Sequence, residues 1–150
     1  FLANIFDTMD NGEIITIDIS SPNNKPEHKR IHYIQGDATS EKTTTKVQQL
    51  IDKFTNNSNK KIMVILDDEH SLNHVFQEME IYGKFVTPGN YLIVEDTSMG
   101  GHPVWSELKS GPMESVERYV KIHNDFEIDA DQEKFLLTFN PKGYLKKINS

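Results

Sequence analysis

The 150-residue sequence contains no cysteine, which excludes disulfide bonds, thiolate metal ligands and cysteine nucleophiles. It has no apolar run near the roughly 20 residues that a membrane-spanning helix needs, and its opening FLANIF has no basic flank typical of a signal peptide. It also lacks an excess of positive charge, because 16 Lys and Arg stand against 23 Asp and Glu, a net charge of −7. Nucleic-acid surfaces need clustered Lys and Arg. We therefore expect a cytoplasmic protein with no nucleic-acid partner and no membrane span.

The pattern of apolar residues predicts a single α/β domain over residues 1–150. Helical periodicity of 3.6 alternates with short β-rich runs along the chain. Strands are predicted at 13–20, 30–37, 61–67 and 90–96. Residues 1–10 are predicted to be the end of a helix, and further helices are predicted at 40–54, about 70–83 and about 112–123. The segments FEIDADQEK and FLLTFN are predicted to pair as an antiparallel hairpin, with 141–150 as a tail. The expected sheet is mostly parallel and closes with that hairpin.

Adjacent carboxylates end two of the predicted strands. KIMVILDDEH reaches Asp67 and Asp68, and NYLIVEDTS reaches Glu95 and Asp96. Because one helix and a Thr-Pro-Gly turn lie between them, the two strands should be parallel neighbours whose carboxyl ends share one edge of the sheet.

So many carboxylates at one edge repel one another unless a cation lies among them. An all-oxygen cluster suits a hard divalent cation such as Mg²⁺ or Ca²⁺, so we predict that Asp67, Glu95 and Asp96 hold a metal. The alternative is a set of solvated strand-end acids, with Asp68 capping the next helix.

His70 follows Asp67 by three residues, a spacing at which a general base could reach a metal-held hydroxyl. The alternative is a surface histidine in the first turn of the helix. Asp67, His70 and His74 could also be read as a two-histidine, one-carboxylate iron site. We disfavour the iron site because it leaves Glu95 and Asp96 without a role.

Longer motifs resemble the cephalosporin hydroxylase / rhamnosyl O-methyltransferase family. They are VILDDEH, HVFQEMEIYGKFVTPGNYLIVEDT, GPMESVERYV and KFLLTFNPKGYLKKI, and the similarity runs from about Phe1 to Ile148. The resemblance implies a Rossmann-like fold that binds S-adenosylmethionine (SAM), and a divalent-metal site like that of catechol-type O-methyltransferases. In those enzymes one acid ends the fourth strand, which Asp67 matches, and an acidic pair ends the fifth, which Glu95 and Asp96 match. They carry a lysine at the offset of His70.

The same fold suggests which residues hold the cofactor. Asp18 ends a strand where an acid usually accepts the ribose hydroxyls, although it could instead form a turn before Ser20. Gly36 and Asp37 end the next strand, where the adenine edge would lie, although Asp37 could cap the following helix. His102 and Trp105 lie in the long loop 97–110, where they could contact substrate or pack within the loop.

The first strand of this fold and its glycine-rich cofactor loop are not found in the sequence. We expect them upstream of Phe1, so that 1–150 is an N-terminally incomplete domain. In the full fold that strand lies between the second and fourth strands.

The predicted function is a SAM-dependent, Mg²⁺-assisted O-methyltransferase acting on a hydroxyl of a sugar or another small polar metabolite. The alternatives are a non-catalytic binding or scaffold domain, and a hydroxylase of a secondary metabolite. A homo-oligomer is possible.

Overall fold

The computed structural model describes residues 1–21, 23–55, 60–107, 109–135 and 137–149. These residues form two compact units, Phe1–Asn59 and Lys60–Ser150. In the described segments, every helix is too short or too polar to cross a bilayer. That 1–150 is a single domain stays a prediction.

The first unit contains two helices and a parallel pair of strands. Its elements are α1 (Leu2–Thr8), β1 (Ile14–Asp18), β2 (Ile31–Gln35) and α2 (Glu41–Phe54). Strands β1 and β2 pair in register from Ile14 opposite Ile31 to Asp18 opposite Gln35. Helix α2 begins where the Ser40 hydroxyl accepts from the Thr43 N–H, and it buries Val47 and Ile51. The helix and both strands were predicted at these places from apolar periodicity.

The second unit contains a four-stranded sheet and two long helices. Its elements are β3 (Val64–Leu66), α3 (Leu72–Tyr82), a 3-10 helix (Gly83–Phe85), β4 (Tyr91–Val94), α4 (Pro112–Ile122), β5 (Phe126–Ile128), a second 3-10 helix (Ala130–Glu133) and β6 (Tyr144–Lys147). The strand order is β3-β4-β6-β5. Strands β3 and β4 are parallel, and β6 runs antiparallel to both of its neighbours, so β3, β4 and β5 share one direction.

The core of the second unit is formed by β4, β6, α3 and α4. Five of its side chains have almost no exposed surface: Met79, Leu92, Val94, Val116 and Leu145. Burial of one such side chain contributes about 1.5–3 kcal/mol. The Ser115 hydroxyl of α4 donates to the Leu72 carbonyl of α3 over 2.8 Å, which fixes the two helices against each other. This core supports the carboxyl ends of β3 and β4.

The prediction of a C-terminal antiparallel strand pair is confirmed, but the residues predicted for its second strand were wrong. The partner of β5 is β6, Tyr144–Lys147, in the segment predicted to be a tail. Among the described residues of FLLTFN none is in a strand, and Phe135, Leu137 and Phe139 are exposed. Strand β6 lies between β4 and β5, and its Leu145 is completely buried. A tight turn at Gly143 precedes this strand. A side chain at Gly143 would collide with the Val94 carbonyl oxygen, so glycine is required for this close approach.

Candidate metal centre and active site

The parallel pairing of β3 and β4 brings their acidic ends together. Leu66 is opposite Val94, and the Glu95 N–H donates to the Leu66 carbonyl over 3.0 Å, which continues the pairing by one residue. Asp67 and Asp96 therefore follow the two strands at the same edge. Asp67, His70 and Asp96 each present one potential ligand atom, and these three atoms lie within 4.8 Å of one another.

His70 is in direct contact with one of these acids. Its Nε2 lies 3.0 Å from Asp96 Oδ2, and the two side chains are 26% and 29% exposed. Helix α3 begins at Leu72, after Ser71, so His70 lies in the preceding loop and not in the first helical turn. The surface-histidine alternative is therefore wrong about its position, since the imidazole faces the acidic cluster.

Glu95 follows β4 at the same edge of the sheet, directly before Asp96. Burial raises the pKa of the Glu95 carboxyl, and the nearby carboxylates of Asp67 and Asp96 raise it further. Glu95 is not one of the three residues whose ligand atoms come within 4.8 Å of one another. Positive charge added at this edge would relieve the repulsion between these carboxylates.

A second group of acids and a histidine lies beside the first. Asp68, His74 and Glu78 also present ligand atoms within 4.8 Å of one another. His74 Nε2 lies 3.2 Å from Asp68 Oδ2, and its Nδ1 lies 3.4 Å from Glu69 Oε2. The two histidines thus belong to different groups, which speaks against an iron site built from both. Asp68 as helix cap is also wrong, because the cap position of α3 is Ser71.

In the first unit, Asp18 and Gly36 lie at adjacent strand ends. Asp18 Oδ1 accepts from the Ser20 N–H at 2.7 Å and from its hydroxyl at 2.8 Å, so Asp18 does form the predicted turn. The hydrogen bond from the Ser20 N–H and, to a smaller extent, the one from the Ser20 hydroxyl lower the pKa of the Asp18 carboxyl. The Gly36 N–H donates to the Asp18 carbonyl over 3.0 Å, and a Cβ at Gly36 would collide with the Thr43 hydroxyl. The ribose-binding role of Asp18 stays a prediction.

Asp37 stabilises the turn that precedes α2. Its Oδ1 accepts from the Thr39 N–H at 2.8 Å and from the Thr39 hydroxyl at 2.7 Å. The helix cap itself is Ser40, so Asp37 is not the capping residue. Its contact with adenine stays a prediction.

The two loop residues predicted to meet substrate have different surroundings. His102 Nε2 lies 2.7 Å from Glu114 Oε1 in α4, whereas Trp105 is 60% exposed and has a left-handed backbone, φ +51°. His102 therefore takes part in loop packing, and Trp105 remains accessible. Substrate contact stays a prediction for both.

Sequence reasoning missed two residues that organise this site. Glu114 accepts from the Gly111 N–H through Oε2 over 2.6 Å, and Asn140 Oδ1 accepts from the Asp96 N–H over 2.8 Å. A glutamate three residues after a helix start is a recognised capping signal, so Glu114 could have been found. The hydrogen bond between Asp96 and Asn140 joins residues 44 positions apart in the chain, and no local sequence pattern indicates that contact.

A sheet in which the last strand is inserted antiparallel between β4 and β5 defines an α/β, Rossmann-like methyltransferase fold. The chain belongs to the rhamnosyl O-methyltransferase/CmcI family, whose model matches residues 1–148. The family predicted from the sequence motifs is confirmed.

Curated relatives support this membership. Rhamnosyl O-methyltransferases of Mycobacterium tuberculosis and Mycobacterium bovis are 33% identical over 138 residues, covering 89% of this chain and 55% of theirs. The protein of the same name from Mycobacterium leprae is 32% identical over 137 residues, covering 89% of this chain and 58% of its own. The chain thus spans about half the length of the curated relatives it matches.

Solved structures of MycE methyltransferase, from the mycinamycin biosynthetic pathway, have a similar fold. One, in complex with Mg and SAH, gives a TM-score of 0.54 at 17% identity, covering 92% of this chain and 37% of that one. Another, in complex with Mg, SAH and mycinamycin VI, gives 0.50 at 21% identity, covering 73% and 30%. At these identities the likeness establishes the Rossmann-like fold.

Proposed function

We propose that this chain forms the larger part of a SAM-dependent, divalent-metal-assisted O-methyltransferase that acts on a hydroxyl of a sugar or another small polar metabolite. The observation that carries the proposal is the group formed by Asp67, His70 and Asp96 at the carboxyl ends of two parallel strands. The rhamnosyl O-methyltransferases among the relatives support a rhamnose-containing acceptor. The MycE complexes with Mg and SAH, which share the fold, support the choice of cofactor and metal.

The donors present fit a hard divalent cation. Asp67, Glu95 and Asp96 offer carboxylate oxygens, the ligands that Mg²⁺ prefers. Burial, together with repulsion from Asp67 and Asp96, raises the pKa of Glu95. A bound cation would supply Lewis-acid activation of the acceptor hydroxyl. The carboxylates would hold the cation at the sheet edge, where Asp67 is exposed to an incoming ligand.

His70 is proposed to take the proton of the acceptor hydroxyl. SAM, which Asp18, Gly36 and Asp37 would hold, would supply the methyl group to the hydroxyl oxygen and would leave as the neutral thioether SAH. The proton passes to the His70 imidazole. Asp96, whose Oδ2 lies 3.0 Å from His70 Nε2, orients the ring and stabilises the imidazolium.

In the first unit, Asp18, Gly36 and Asp37 are proposed to bind the nucleoside part of SAM. They follow the carboxyl ends of β1 and β2, the edge at which open α/β sheets bind ligands. The bonds that Asp18 and Asp37 make to Ser20 and Thr39 engage the Oδ1 atom of each carboxylate. These bonds fix the two carboxylates at the strand ends, where Asp18 is proposed to accept the ribose hydroxyls and Asp37 the adenine amino group.

Isothermal titration with Mn²⁺ and Mg²⁺ tests the metal site. The parent should bind one ion, and Asp96→Asn should lose at least about tenfold in affinity, because it removes a charged ligand. His74→Ala is the matched control in the neighbouring group and should bind like the parent. Loss of binding in His74→Ala, with binding retained in Asp96→Asn, would move the ion to the second group. A parent that binds neither ion would overturn the proposed metal centre.

Transfer of a labelled methyl group from SAM to a rhamnoside tests the activity. Product that depends on added Mg²⁺ is expected. A protein that binds Mn²⁺ and SAM without transferring the methyl group would instead support the non-catalytic binding domain, and oxidised acceptor would support the hydroxylase.

A further inference from the structure

Residues 139–143, with the sequence FNPKG, run alongside the acidic end of β4. They make four hydrogen bonds to residues 94–98, each 2.6–3.0 Å long. The bonds are Val94 N–H to Gly143 O, Asp96 N–H to Asn140 Oδ1, Thr97 hydroxyl to Pro141 O, and Ser98 N–H to Phe139 O. The 139–143 segment therefore fixes the backbone on both sides of Asp96.

Asp96 has a backbone conformation that needs such support. Its φ of +54° lies in the left-handed region, which costs free energy for a residue with a side chain, although less for Asp than for most others. The left-handed turn occurs between Val94, the last residue of β4, and Thr97, which is completely buried. Of the four bonds from the 139–143 segment, only the one from Asn140 reaches the backbone of Asp96 itself.

Asn140 is itself held in place by its neighbours. Its N–H donates to the Thr138 hydroxyl over 3.0 Å, and its carbonyl accepts from the Gly143 N–H over 2.9 Å. Lys142 attaches the same turn to α4 through Glu117, at 2.7 Å. The amide oxygen of Asn140 is thus presented to the Asp96 N–H by a turn that is fixed on several sides.

We propose that Asn140 is a positioning residue for the metal centre. By accepting the Asp96 N–H it holds the left-handed turn that places Asp96 Oδ2 beside His70 and within reach of Asp67. This inference rests on the proposed function for the identity of the ligand, a divalent cation. The position of Asp96 can be tested without a cation, because the proposed support is the hydrogen bond from the Asp96 N–H to Asn140 Oδ1.

The experiment compares Asn140→Ala, Asn140→Asp and the control Asn90→Ala by Mn²⁺ titration of the full chain. Asn140→Ala removes the acceptor and should weaken Mn²⁺ binding by about tenfold or more, the size of effect seen when supporting partners of metal ligands are removed. Asn140→Asp has the same shape and keeps an acceptor oxygen, so its affinity should stay within about threefold of the parent or exceed it. Asn90 makes turn-stabilising bonds at the other end of β4, to Thr87 and Pro88, and its variant should bind like the parent.

A second readout needs no metal. Hydrogen exchange of the Asp96 amide should be fast in Asn140→Ala, and as slow as in the parent in Asn140→Asp and Asn90→Ala. If Asn140→Ala does not fold, Asn140→Ser, one atom shorter, carries the same expectations. Parent-like Mn²⁺ affinity and Asp96 exchange in the Ala or Ser variant would overturn the proposal. A parent that binds no Mn²⁺ overturns the proposed function instead, and Asp96 exchange still decides the role of Asn140.

Discussion

His70 is placed to act as a general base whose imidazole is oriented by the carboxylate of Asp96. Its imidazole contacts Asp96 at 3.0 Å and is only partly exposed. We predict that, in a complete enzyme that also carries the glycine-rich SAM loop, His70→Ala lowers kcat for methyl transfer by about 100-fold or more, because the base that accepts the proton of the acceptor hydroxyl is removed. Mn²⁺ affinity should change little, since the carboxylates remain. The measurement is kcat with saturating SAM and acceptor, alongside a Mn²⁺ titration.

His74→Ala is the control for this prediction, because His74 belongs to the neighbouring group with Asp68 and Glu78. It should keep the kcat of the parent. Unchanged kcat in His70→Ala across a full pH profile would remove the catalytic role. An equal loss of kcat and of Mn²⁺ affinity would mean that His70 is a metal ligand.

The individual site residues differ in how far sequence could reveal them. Asp67, Glu95 and Asp96 were predictable as a cluster, because apolar strands that end in acids, separated by one helix, must meet at one sheet edge. The loop position of His70 and its bond to Asp96 depend on where α3 begins, which apolar periodicity fixes only to within a turn. The left-handed conformation of Asp96 had no sequence signal, and the residue that hydrogen-bonds its N–H, Asn140, lies 44 positions away in the chain.

Among the secondary-structure elements, α4 has a start that links it to the long loop. Glu114 accepts from the Gly111 N–H and contacts His102 at 2.7 Å. Partial burial opposes ionisation of this carboxyl, but the Gly111 N–H and His102 outweigh it and lower the pKa of Glu114. The ionised carboxylate therefore stabilises the folded protein.

We predict that Glu114→Ala lowers the free energy of unfolding by about 1 kcal/mol near neutral pH. Because the folded-state pKa lies below the unfolded value, the stabilisation is present above the unfolded pKa of about 4.3. It is lost as the pH falls through the folded-state pKa. The free energies of unfolding of the parent and Glu114→Ala, measured with urea, should therefore converge as the pH is lowered. Glu114→Gln, which retains a capping acceptor, should lose less.

A difference between the parent and Glu114→Ala that persists unchanged at low pH would contradict an electrostatic origin. It would assign the effect to packing alone.

The helices and early strands were predictable, and the C-terminal strand was not. Helix α2 places Val47 and Ile51 one turn apart on its buried side, a periodicity visible in the letters. The choice between 135–140 and 144–147 as the last strand depended on the Gly143 turn against Val94 and on the pocket for Leu145. Both features belong to the assembled sheet, and the more apolar FLLTFN run was the stronger local β signal.

For the molecule as a whole, the most consequential feature is its open strand edges. In the part of the chain that the structure describes, β1 pairs only with β2, and β3 only with β4. These are the strands that the predicted sheet order places next to the first strand of the fold. Among the described residues, the other edge of β3 has no strand partner in its sheet, and Ile65 in β3 is 43% exposed. Such an edge is a template for pairing with another chain.

We therefore predict that the 150-residue chain self-associates through β3. Ile65→Lys, which adds an edge charge, should weaken association by about tenfold in sedimentation velocity experiments across a range of concentrations. Ile122→Lys is the matched control, because Ile122 is 62% exposed at the end of α4 and not on a strand edge. It should associate like the parent. Equal weakening by both variants would indicate association through exposed apolar surface in general, and a parent that stays monomeric at every concentration would show that the β3 edge is protected in another way.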